Sequence, residues 1–217
     1  MSNASSSSSG AVADQRPELL ILCGALGILG PLAMTVGIVV VQSIAPGHDP
    51  ISDTISDLAR GDTAWIMDVI FYFNAAAMLA LAIGAAHPHR GQWDWSLGMC
   101  ALTFVALDVV LLGVWDTFYS QPGVDKTSVH TRLATVLFPL YLVGPLAMVR
   151  GIARVSAVSK WLFIASGILW PITALIYFYG PAPYYGLTER IAGATTLLWT
   201  IPLGWVFLRR GLDTHGV

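Results

Sequence analysis

Six apolar segments, at about 19–43, 65–86, 95–116, 130–149, 161–180 and 188–208, limit what this chain can fold into more than any other feature. Each holds about the 20 mainly apolar residues that an α-helix needs to cross a bilayer. In hydrocarbon every backbone N–H and C=O must be satisfied internally, and a helix does this within its own segment. The expected fold is therefore an all-α membrane protein, with six transmembrane helices in one bundle. Only 11% of the residues are charged, against about 25% in soluble domains. A net charge of −2 with no basic run excludes a nucleic-acid partner. Cys23 and Cys100 lie inside apolar segments and read as buried free thiols.

The serine-rich residues 1–17 are expected to form a disordered cytoplasmic tail, 18–210 the six-span bundle and 211–217 a cytoplasmic C-tail. The tail has no compact positive region and no small-residue cleavage site, so the first span reads as retained. Arg16, Arg90, Arg150, Arg154, Lys160, Arg209 and Arg210 fall on one side of the spans, and Arg60, Lys126, Arg132 and Arg190 on the other. Positive charge collects in the cytoplasm. Both termini are thus expected there, in a prokaryotic plasma membrane, with Trp65 and Trp115 at the outer interface. Trp93, Trp95, Trp161 and Trp205 would mark the inner one. Prolines 31, 139, 145, 171 and 202 could open a cavity or improve packing, and packing is the simpler reading. Gly24, Gly27, Gly30 and the alanines of the second span read as close-packing faces.

Between the first two spans, residues 51–62 are too polar for a membrane interior. Asp49 suits an N-cap, Pro50 the first helical position and Gly61 the exit. At 100° per residue, Ile51, Ile55 and Leu58 share one face, and Ser52, Asp53, Ser56, Asp57 and Arg60 the other. A short amphipathic interfacial helix over 50–60 is expected.

With this topology, the outer face collects Asp49, Asp53, Asp57, Asp62, Asp116, Asp125 and Glu189, together with His48, Arg60, His130, Arg132 and Arg190. Asp68 and Asp108 lie within spans, where an ionisable group costs at least about 2.5 kcal/mol and is usually paired inside the bundle. Two readings compete. Asp57, Asp116 and His130 could act as acid and base on a lipid headgroup or hold a divalent metal, with the arginines on a phosphate. Alternatively, the same residues form a structural, ion-paired or lipid-binding cluster. No cofactor is expected beyond that possible metal. There is no His-Glu-x-x-His, Gly-x-Ser-x-Gly or Walker loop. All five histidines fall at span ends or in loops, which argues against a bis-histidine haem.

Four motifs at span ends carry a family resemblance: Ile55-Ser56-Asp57-Leu58-Ala59-Arg60-Gly61, Gly113-Val114-Trp115-Asp116, Val129-His130-Thr131-Arg132 and Gly186-Leu187-Thr188-Glu189-Arg190. On these the chain resembles, over roughly 20–210, the domain-of-unknown-function 998 family of uncharacterised prokaryotic membrane proteins. Members often carry a second histidine one turn after the first. Here that place is Ala134, which argues against a two-histidine metal site and leaves a polar constellation of Ser56, Asp57, Arg60, Asp116, His130, Arg132, Glu189 and Arg190. The expected function is an accessory or lipid-headgroup-binding role, with membrane lipids and other membrane subunits as partners. The alternative is a membrane-embedded lipid hydrolase or transferase. A small transporter protonating Asp108 is a third reading.

Overall fold

The computed structural model describes residues 16–87, 91–118 and 126–215, without the side chains of 115–118, 126–128 and 215. Residues 1–15 of the expected tail over 1–17, residues 216–217 of the one over 211–217, and loop residues 88–90 and 119–125 lie outside the described residues. The helices are α1 Pro17–Ile44, α2 Ile55–Leu58, α3 Ala64–Ala86, α4 Trp93–Phe118, α5 Lys126–Ile152, α6 Ala157–Tyr179 and α7 Tyr185–His215. All but α2 are long and apolar enough to cross a membrane. The protein is an integral membrane protein with the six expected spans, several extending past their apolar cores.

The spans form a ring in chain order. Each packs on the next, and α7 closes on α1. Short connections make sequence neighbours antiparallel and adjacent. Across the end where α1 begins, α3 and α7 meet, and Leu20, Leu81, Leu203 and Phe207 fill the axis.

Glycine sets how closely the ring closes. A Cβ on Gly24 would overlap the Leu208 N and Gly204 O of α7, and one on Gly211 would meet Pro17 O and Ile21 N of α1. The predicted small-residue face is real but serves two neighbours. Gly27 and Gly30 receive Leu81 and Ala77 of α3, whose alanines are buried. Without Cβ atoms, backbones approach and van der Waals contact holds helices that no hydrophobic effect drives together in lipid. Farther along the same seam the helices no longer touch in this way, and a Cβ on Gly193 would meet nothing within 4 Å.

Trp65, Trp93, Trp161 and Trp205 are exposed, and Lys160 and Arg209 lie 4.8 and 5.6 Å from the rings of Trp161 and Trp205. Trp95 departs from the expected belt. It is buried, its indole N–H donates to Ala85 O at 2.8 Å, and its ring covers Gly151. Cys100 likewise faces outward, whereas Cys23 is buried. Trp115 lies outside the described side chains.

The loop between α1 and α3 also differs from expectation. Helix α2 begins only at Ile55, with Thr54 as its cap. Thr54 Oγ1 accepts the Asp57 N–H at 3.3 Å, and Asp57 Oδ2 accepts the Thr54 N–H at 2.9 Å, a capping box. Asp49 instead closes a turn by accepting the Ile51 N–H at 2.9 Å. Ile55 and Leu58 are buried as predicted, but Ile51 lies in the turn and is 49% exposed. Gly61, at φ +73°, starts a 3₁₀ turn into α3.

Candidate functional site

At the end of the ring where α1 finishes, the axis is not filled. A cavity of about 360 Å³ is lined from α1, α2, α3, α4, α5, α6 and α7. Its walls are mainly apolar, with Ile38, Phe71, Met78, Leu112, Leu137 and Trp170 among them. On α1 the lining runs from Pro31 to Gln42, about 16 Å at 1.5 Å per residue. Of the five prolines inside spans, Pro31 is the one in this wall. Along the α1/α7 seam, the lining residues Thr35, Val39 and Ala194 are also exposed on the outside of the bundle. The cavity is therefore open sideways there.

Its end at the loop between α1 and α3 is polar and is built by that docked loop. Leu187 donates its N–H to Ile51 O at 3.0 Å. A Cβ on Gly186 would overlap Asp53 O and crowd Pro50 O, so glycine is what lets the loop backbone rest on α7. Glu189 Oε2 accepts the Ile55 N–H at 2.5 Å, capping α2 from the far end of the chain. Arg190 donates to Gln42 Oε1 at 3.2 Å, Asp53 O at 2.9 Å, Gly186 O at 2.8 Å and His48 Nε2 at 2.9 Å. A guanidinium has five N–H donors and no acceptor. Four are occupied here, and His48 Nε2 must accept, which puts the ring proton on Nδ1, facing Asp53 Oδ2 at 3.8 Å.

Within the loop, the Asp49 N–H and then the Ser52 hydroxyl hold the Asp53 carboxyl below its usual range. These contacts are made by the ionised form, so they are present above the ordinary carboxylate pKa and lost as pH falls through the depressed one.

Ser56 Oγ and His130 Nε2 are 2.9 Å apart, and both residues line the cavity. The carboxylates of Glu189 and Asp108 lie within electrostatic reach of that ring. Deeper in, Asn74 Oδ1 on the cavity wall and Asp108 Oδ2 behind it are buried with no hydrogen-bond partner among the described residues. Tyr141 is buried against the rings of Trp170 and Trp199, at 4.9 and 6.1 Å.

The fold thus brings together Ser56, His130, Glu189 and Arg190 from the predicted cluster. His130, grouped from sequence with Asp57 and Asp116, is contacted by Ser56. Asp57 instead accepts from Thr54 within its capping box and from Arg60 at 3.0 Å, outside the cavity. Arg132 is exposed and Asp68 is half-buried, and neither lines the cavity. The Asp116 side chain lies outside the described residues. Among the described residues, no group of three His, Cys, Asp or Glu side chains is placed to hold a metal. Gln42 and Asn74 were not singled out from sequence. A lone amide inside an apolar span was the available signal, since such groups usually face the bundle interior.

The family model for proteins of unknown function called DUF998 matches residues 28–206. No curated protein and no solved structure matches the chain.

Proposed function

The chain belongs to the DUF998 family of proteins of unknown function, and we propose that it binds an amphiphile drawn from the surrounding bilayer. The observation that carries this reading is the cavity itself. It has apolar walls, a polar end at Gln42, Ser56, His130 and Glu189, and an opening towards lipid beside α1 and α7. About 360 Å³ falls in the range of small-molecule sites. A lipid tail lies along the apolar wall, and its polar group meets the polar end. Asn74 Oδ1 offers an acceptor partway down. An arginine with four donors already engaged is a poor phosphate clamp, so recognition rests on Gln42, Ser56, His130 and Glu189.

Gly193→Phe tests this. The new side chain enters open space and removes a helix glycine that costs about 0.8–1 kcal/mol relative to alanine. The variant should melt no lower than wild type yet carry at least tenfold less co-purified lipid by native mass spectrometry in mild detergent. A lipid-free wild type, or equal lipid in both proteins, would sink the reading.

The proposal also sets the polar end in the outer leaflet and both termini in the cytoplasm, from the Lys and Arg distribution. A Cys introduced at the exposed Asp62, in a chain with Cys23 and Cys100 replaced by Ala, should react with a membrane-impermeant maleimide on intact cells. Reaction only after lysis inverts the topology.

A further inference from the structure

Ser56 is placed as a nucleophile is placed. Its hydroxyl is 2.9 Å from His130 Nε2, within the hydrogen-bond reach that a general base needs. Anchoring does not require this contact. Helix α2 and the turn before it are already held by the capping box, the Glu189 cap, the Leu187 N–H and Arg190. The pair also sits where the polar end of the cavity meets its apolar wall, and not on the outer surface as Asp57 and Arg60 do.

Building on the amphiphile-binding reading, we propose that the protein is an acyl-ester hydrolase whose nucleophile is Ser56 and whose general base is His130, acting on a lipid ester with its acyl chain along the cavity. Ser56 Oγ attacks the ester carbonyl carbon while its proton passes to His130 Nε2. The bond from that carbon to the alcohol oxygen then breaks, and the alcohol leaves with the proton from His130. A water molecule attacks the acyl-serine as His130 takes its proton. The bond to Oγ breaks, Oγ recovers a proton from His130, and the fatty acid is released with no redox change. Glu189 and Asp108 lie within electrostatic reach of the ring, and each favours the imidazolium when ionised.

The test is covalent labelling of the full-length protein in membranes with an alkyl fluorophosphonate, which phosphonylates activated serines, followed by peptide mapping. The expected adduct is on Ser56, absent in Ser56→Ala and formed at least a hundredfold more slowly in His130→Gln. Bound lipid and melting temperature of each variant are read in parallel, so a folding defect is seen as such. Wild type that retains bound lipid but gives no Ser56 adduct overturns the hydrolase and leaves the binding reading standing. An adduct formed equally fast in a folded His130→Gln variant overturns the role of His130 as base. Wild type that holds no lipid and gives no adduct overturns both.

Discussion

Replacing Arg190 by Ala should release the loop between α1 and α3 from the bundle and lower stability by about 3–5 kcal/mol. Hydrogen bonds from a charged donor contribute about 1.5–3 kcal/mol each, and contacts sharing one residue add less than their sum. Arg190 ties Gln42 of α1, His48 and Asp53 of the loop, and Gly186 of its own helix to a single planar group. Truncation leaves all four acceptors without that donor. Lysine should not rescue it, because a compact ammonium with three donors cannot reproduce the fork. The measurement is thermal unfolding in mild detergent, with hydrogen exchange of residues 48–58. Wild-type melting with unchanged exchange at Ile55 would show that the loop is held by other means. Loosening the loop also removes Ser56 from the cavity, so lipid retention should fall with it.

Gly24→Leu should have an effect at least as large, for a different reason. A Cβ there already overlaps backbone atoms of α7, at Leu208 N and Gly204 O, and backbone cannot rotate away as a side chain tip can. Overpacking typically costs about 1–3 kcal/mol where side chains can adjust. Here the helices themselves must separate, so a loss of at least about 3 kcal/mol is expected, with the ring opening between α1 and α7. In a Cys100→Ala background, the buried Cys23 beside Gly24 should stay protected from a small maleimide in the parent and become reactive in the Gly24→Leu variant. Because Gly193 lies in the same seam but in open space, its Phe variant is the internal control. A Gly24→Leu protein that melts like the parent would show that the seam does not depend on glycine.

Much of this architecture is legible in the residues. Lipid demands internally satisfied backbones, so apolar length alone identifies the six spans. The small faces of α1 and α3 follow from Gly24, Gly27, Gly30 and the α3 alanines, because close approach needs missing or minimal side chains. The buried pair Ile55 and Leu58 follows from helical spacing. Trp95 shows where such reading fails. An indole near a span end suits an interface, but a carbonyl at Ala85 and a hollow over Gly151 capture it instead.

The amino-acid sequence by itself determined a six-span helical membrane protein with its polar residues gathered at one end, since both follow from solvation of single segments. Only the tertiary structure decided what those residues do. Helix α2 starts five residues later than its pattern suggests, because the Thr54/Asp57 capping box and Glu189 together satisfy its first turn. That shift puts Ser56, and not Asp57, against His130. Arg190 is engaged largely by carbonyls and neutral side chains, so charge pairing along the sequence could not have found its partners. The cavity exists because α1 and α7 touch at Gly24 and Gly204 but not at Gly193, a difference in distance between helices at opposite ends of the chain.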